Sequence, residues 1–207
     1  MYAEEQALLD RYTETGDPDA FRGLVEGHRN MVYAVCRRVL GDAAEAEDAA
    51  QECFLQLAIA ARKLKAPIAG WLHCVATFVS IDLRRRREAR LAREARIRAQ
   101  ARADAANAEP TWEDLKGDVD AAINTLPDDL RVPVILYYLE GRKQEEIGER
   151  IGLSTAAVSR RLQRGVERLR KRLRKAGWAV ATLAISALLL TNASEKAPPT
   201  LVSSLGK

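Results

Sequence analysis

GRKQEEIGERIGLSTAAVSRRLQRGVERL, Gly141 to Leu169, is the stretch on which the fold turns. Ile147 and Ile151 give a first short helix one apolar face. Gly148 is small enough to let a second helix cross closely, Gly152 supplies a left-handed turn residue, Leu153 fills the corner, and Ser154 is placed to cap the second helix. Val158, Leu162, Val166 and Leu169 then form an inward stripe, which turns Ser159, Arg160, Gln163 and Arg164 outward and Arg161 to the side. The pattern is a helix-turn-helix whose second helix, opened by Thr155, is suited to a major groove. Arg and Gln can read base edges with two hydrogen bonds each, and the remaining arginines can neutralise phosphate. An ordinary helical hairpin with a basic surface would explain the stripe, but not the glycine placement or the polarity of the second helix.

Working outward, Trp112, Val119, Ile123, Leu126, Leu130, Val134, Ile135, Tyr138 and Leu139 supply the helices that precede this motif, with Gly141 as their stop. The second domain is therefore expected over 112–175. Upstream of it, 88–111 is rich in Ala, Arg and Glu with almost no large apolar side chains, and reads as a linker. A first domain, 19–87, holds three helical patterns, with 1–18 as an N-terminal extension. Phe21, Leu24, Val25, His28, Val32, Val35, Cys36, Val39 and Leu40 make one apolar stripe that ends at Gly41, and Asp42 can cap the next helix. That second helix turns Ala46, Ala49, Ala50, Cys53, Phe54 and Leu57 inward, and Glu45, Asp48, Gln51, Glu52 and Gln56 outward. A loop through Pro67 leads to a third helix, from Trp71 into Arg84, Arg85, Arg86 and Arg87. The expected fold class is all-α: two small helical domains joined by a linker, followed by a hydrophobic C-terminal helix and tail over 176–207.

The net charge of +4 conceals segregation. Five acids and no base lie between Asp42 and Glu52, whereas 84–98 carries eight arginines and 160–175 carries nine bases. Two separated basic blocks suggest two contacts with a polyanion, and the acidic block suggests a basic protein partner. Cys36, Cys53 and Cys74 form no CxxC pair, and His28 and His73 lie apart, so neither a metal site nor any other cofactor is expected. No matched nucleophile and base are evident, which argues against an enzyme. Ala176 to Ser194 is uncharged across 19 residues, just long enough to span a bilayer, and equally suited to covering apolar protein surface. The sequence leaves both readings open, and with them a cytoplasmic protein either free or tethered to the inner membrane through 176–194.

LPDDLRVPVILYYLEGRKQEEIGERIGLSTAAVSRRLQRGVERLRKRL, Leu126 to Leu173, resembles region 4 of extracytoplasmic-function RNA polymerase sigma factors. The resemblance implies that Thr155, Ser159, Arg160, Arg161, Gln163 and Arg164 meet the upstream (minus-thirty-five) promoter element, and that this domain also meets the polymerase flap. FRGLVEGHRNMVYAVCRRVLGDAAEAEDAAQECFLQLA, Phe21 to Ala58, resembles region 2 of the same family, whose acidic signature appears here as EAEDAAQECF. That implies docking of Glu45, Asp48, Gln51 and Glu52 on the clamp helices of the largest subunit of core RNA polymerase. WLHCVATFVSIDLRRRR, Trp71 to Arg87, resembles the family's downstream (minus-ten) element reader. By position, Trp71, His73, Phe78, Arg84, Arg85, Arg86 and Arg87 would then serve promoter DNA, although Trp71 also suits a core position. Phe78 stands where many relatives carry Asn, which puts the usual downstream preference in question. An anti-sigma partner is a further implication of the family. The alternative to a sigma factor is a stand-alone helix-turn-helix regulator, which would leave the acidic helix without a role.

Overall fold

The computed structural model describes residues 2–95, 112–178, 182–192 and 196–204. The part of the expected linker over 96–111 lies outside the described residues, as do 179–181 and 193–195 of the C-terminal segment. Helix α1 (Tyr2–Thr15) comes first. Helix α2 (Pro18–Leu40) opens with proline in its first turn, under the Asp17 side chain, which accepts from the Asp19 N–H at 2.8 Å. It closes at Gly41, φ 78°, whose N–H returns to the Arg37 carbonyl. Asp42 then caps α3 (Ala43–Ala60) by accepting from the Glu45 N–H at 2.9 Å. A single 3₁₀ turn, Ala61–Lys63, comes next. Helix α4 (Ala69–Ala95) is longer than its apolar pattern. The Ala, Arg and Glu residues past Arg87 are strong helix formers, and four-residue ion pairs, Asp82–Arg86 at 2.6 Å and Arg84–Glu88 at 3.7 Å, support the exposed turns.

The second domain contains α5 (Trp112–Asn124), α6 (Asp128–Val134), a wide π-helical turn (Ile135–Leu139), α7 (Gln144–Ile151) and α8 (Thr155–Lys175). Pro133 sits inside α6 and has no N–H for the carbonyl of Asp129 one turn earlier. Arg161 of α8 donates to that carbonyl at 3.3 Å, so the break in one helix is satisfied from another. Between α7 and α8 the turn forms as the sequence predicts: Gly152 is left-handed, φ 69°, and the Ser154 hydroxyl accepts from the Ala157 N–H. The expectation for Gly148 needs correction. A Cβ there would lie 2.5 Å from the carbonyl oxygen of Leu153, so Gly148 admits the turn itself and not a crossing helix. The close helix crossing is at Gly165 of α8, where a Cβ would lie 2.7 Å from the Val134 side chain of α6.

The two domains are pressed together, and one continuous apolar cluster runs from Leu9 and Leu24 through Phe54 and Leu72 to Ile123, Ile135 and Leu169. At the seam, burial is ionic as well as apolar. Arg38 of α2 forks onto Asp120 of α5, Nε to Oδ2 at 2.9 Å and Nη2 to Oδ1 at 2.8 Å, and His73 of α4 meets the same Oδ1 at 3.0 Å. On another side His28 of α2 stands between Glu5 of α1 and Glu140, at 2.8 and 2.7 Å, and Arg150 of α7 donates to Glu5 at 2.6 Å. The expected N-terminal extension is thus a packed helix that places Leu9 in the core and Glu5 in the seam.

Helix α9 (Thr182–Asn192) lies within the apolar C-terminal segment, and α10 (Thr200–Ser204) comes after it. Eleven residues rise only ~16 Å against a hydrocarbon layer of ~30 Å. Among the described residues no helix is long and apolar enough to cross a membrane. Of the two readings of 176–194, the described residues support the covering of protein surface: Ile185 and Leu189 are buried, and α9 packs on α8 and the 135–139 turn.

Candidate nucleic-acid interface

On α8 the inward stripe is buried as its four- and three-residue spacing requires, with Val158, Leu162, Val166, Leu169 and Leu173 all in the core. The opposite face carries Thr155, Arg160, Gln163 and Arg164 exposed to solvent, with Ser159 and Arg161 half-buried beside them. Arg161 is engaged by the Asp129 carbonyl, which agrees with its expected sideways position. Arg168, Lys171, Arg172 and Arg174 continue the cationic surface along the same helix. A helix about 10 Å across with bidentate donors on its free face can enter a major groove and read base edges there.

The residues expected at the downstream element fare differently. Phe78 is 67% exposed, an aromatic ring presented to water on the outer face of α4. Trp71, Val75, Phe78, Asp82 and Arg85 recur at helical spacing along that face, with Trp71 and Val75 half-buried against the core. Arg85 and Arg86 are exposed, Arg86 beside Asp82. Arg87 turns back to the Glu45 carboxylate at 2.8 Å and the Leu40 carbonyl at 3.2 Å, and Arg84 lies over Gly117 of α5. His73 departs from its expected place. It is fully buried, held by Asp120 and, through Nδ1, by the Asn124 amide oxygen at 2.8 Å, so it faces the second domain and not solvent.

The acidic face of α3 is open at Asp48 and Glu52, while Glu45 and Gln51 are half-buried on its two flanks. The same outer face continues into Leu55 and Ile59, the latter 84% exposed. Sequence reasoning missed this apolar extension. The available signal was two large aliphatic residues lying outside the inward stripe of Ala46, Ala50, Cys53 and Leu57.

The seam residues were missed as well. His28 and Arg38 interrupt an otherwise apolar run, and a polar group on a buried stripe implies a partner from elsewhere. Burial works against ionised Glu5, but His28 and Arg150 outweigh it and lower its pKa to about 2. Burial would likewise lower the pKa of His28. The Glu140 carboxylate, then Glu5, overcome that and raise it to about 9, so both ring nitrogens carry hydrogen. Asp120 is fully buried, yet the charge of Arg38 and the hydrogen bonds from His73 and Arg38 lower its pKa to about 2.

The fold and the polar face of α8 define a helix-turn-helix protein with a second helical domain attached. Residues 24–90 match the family model for Sigma-70 region 2, and residues 116–169 match that for Sigma-70, region 4. The chain is 31% identical over 176 residues to the ECF RNA polymerase sigma factor SigW of Bacillus subtilis, covering 79% of this chain and 94% of the relative. It is 34% identical over 172 residues to SigE of Mycolicibacterium smegmatis, covering 79% of this chain and 66% of that one. To CarQ of Myxococcus xanthus it is 32% identical over 171 residues, covering 80% and 95%. A solved structure of CnrH in complex with the cytosolic domain of CnrY is similar with a TM-score of 0.40 at 22% identity, covering 83% of this chain and 98% of that one. The chain belongs to the extracytoplasmic-function RNA polymerase sigma factors, the subunits through which core polymerase is directed to promoters. The stand-alone regulator is the less favoured reading.

Proposed function

We propose that this sigma factor divides its work between three surfaces. The outer face of α8, with Arg160, Gln163 and Arg164 foremost, reads the upstream promoter element. The outer face of α4, with Phe78 and the Arg85–Arg86 pair, serves the downstream element, where an exposed ring can stack on an unpaired base and cations can follow the strand. Asp48 and Glu52, continued by Leu55 and Ile59, dock the basic clamp helices of core polymerase. The observation that carries this reading is the open placement of Asp48 and Glu52 on α3, apart from Glu45, which is drawn to Arg87 of α4, since a DNA-binding protein gains nothing by turning carboxylates towards phosphate.

The closed seam adds a step. Elements nominally ~25 base pairs apart lie ~85 Å apart at ~3.4 Å per pair. A compact chain of this length is only ~45 Å across, so bipartite recognition requires the domains to separate and the Arg38–Asp120 and His28–Glu140 contacts to part. None of these roles needs bond-making chemistry by the chain itself, and the site of action is the cytoplasm, where core polymerase works.

The test is retention of core RNA polymerase by the immobilised chain at moderate salt, comparing the parent with the double variant Asp48→Lys, Glu52→Lys. Saturable binding lost on charge reversal is expected. Undiminished binding by the reversed variant would reject the docking face, and absence of polymerase binding beside tight binding to duplex DNA would restore the stand-alone regulator.

A further inference from the structure

Helix α9 lies on the second domain, where the Tyr138 hydroxyl and Ser186 hydroxyl are 3.4 Å apart and Ile185 and Leu189 are buried. A few residues later the chain crosses to the first domain. The Ala197 N–H donates to the Asn30 side chain of α2 at 3.0 Å, and the Thr200 hydroxyl bonds the Glu47 carboxylate of α3 at 2.6 Å. Beside them Leu201 is completely buried, with α10 seated in the groove between α2 and α3. The described tail thus spans both domains and ends in an apolar plug.

We infer that the α2–α3 groove is a docking site for the chain's own C-terminal segment, and that this docking competes with core RNA polymerase for the first domain. The inference rests on the α3 docking reading given above. Glu47 and Gln51 lie one helical step round from Asp48 and Glu52, and a helix with its side chains is about 10–12 Å across. A partner helix laid along Asp48 and Glu52 therefore needs room on both flanks of α3. On one flank Arg87 already holds Glu45, and on the other Thr200 holds Glu47 and α10 occupies the space. The tail also ties the first domain to the second from outside, adding to the seam contacts that must part. A state that must be released before binding reduces apparent affinity by the fraction of molecules in which it is released.

The experiment uses the full chain carrying Leu201→Ala or Leu201→Glu, each with and without the reversal at Asp48 and Glu52. Tail release is read by the rate of tryptic cleavage after Lys196, the residue preceding the anchored Ala197, and affinity by titration with core polymerase. Leu201→Glu should speed that cleavage and tighten polymerase binding about 10-fold, with Leu201→Ala intermediate. Faster cleavage with unchanged affinity would overturn the competition, and unchanged cleavage would overturn the docking itself. If the charge-reversed chain binds like the parent, the α3 docking face is rejected. The strap is then decided by whether Leu201→Glu still tightens binding.

Discussion

Helices α4 and α8 are both long and basic and would be given similar tasks from their composition, yet the fold treats them differently. On α8 one side is core and the other is water, so the residues expected to read DNA remain at the surface. On α4 a third direction exists, towards the second domain. His73 is consumed there by Asp120 and Asn124, Arg84 lies over α5, and Arg87 turns to Glu45. On the proposed assignment, the α8 face that would meet the upstream element already stands at the surface, whereas part of the α4 face is held against the second domain. A cation in the sequence is an available cation only if no neighbouring element supplies an acceptor first.

The comparison is broken most severely at the shared acceptor. Asp120→Ala leaves the Arg38 guanidinium buried without a carboxylate, an expected loss of roughly 3–5 kcal/mol. For a chain of this size that corresponds to a fall in Tm of roughly 10 °C. A Tm within about 2 °C of the parent would mean that α4 is not held at the seam in solution.

The second test is pH. His28 has a folded pKa raised to about 9, above its ordinary value, so its contribution is full below pH ~6.5 and is lost as pH rises through about 9. Glu5 and Asp120, lowered to about 2, contribute above the usual carboxylate range and lose that contribution as pH falls towards 2. The groups facing His28 are Glu5 and Glu140, with Arg150 held on Glu5. Closure should therefore be firmest between about pH 5 and 6.5, and the alkaline loss is on the order of 3 kcal/mol. His28→Gln should flatten the alkaline limb of a Tm-against-pH profile. An unaltered limb would remove His28 from the seam's energetics.

A smaller effect sharpens the contrast between the two readers. Arg160→Ala should cost about 1–3 kcal/mol of upstream discrimination in promoter binding by the assembled polymerase. Arg85→Ala should instead weaken all promoters alike and reduce the salt slope by about one. If Arg160→Ala lowers affinity uniformly, α8 contacts backbone and not bases. The smallest effect is expected at Arg87→Ala. Its half-exposed pair with Glu45 should contribute no more than ~1 kcal/mol to stability, measured by denaturant unfolding.

Much of this was legible beforehand. Gly41, Asp42, Gly152 and Ser154 specify their turns through local backbone chemistry, and the inward stripes of α2, α3 and α8 are buried where periodicity puts them. Less legible was α1, whose single fully buried leucine, Leu9, gives too weak a period to announce a packed helix. The Pro133 break was also opaque, because the arginine that satisfies the Asp129 carbonyl lies 32 residues further along the chain. The apolar segment at 176–194 could not be assigned by composition, since lipid and protein cores reward the same side chains.

The sequence by itself determined the all-α class, the helix-turn-helix, the acidic helix and the family, because all of these are written in spacings of three and four residues and in local caps. Only the tertiary structure decided that His73 and Arg38 converge on Asp120, that Glu5 reaches His28 and Arg150, and that Leu201 closes the groove between α2 and α3. These pairings join residues far apart in the chain. Their energy comes from removing charges and apolar surface from water together, which no local pattern records.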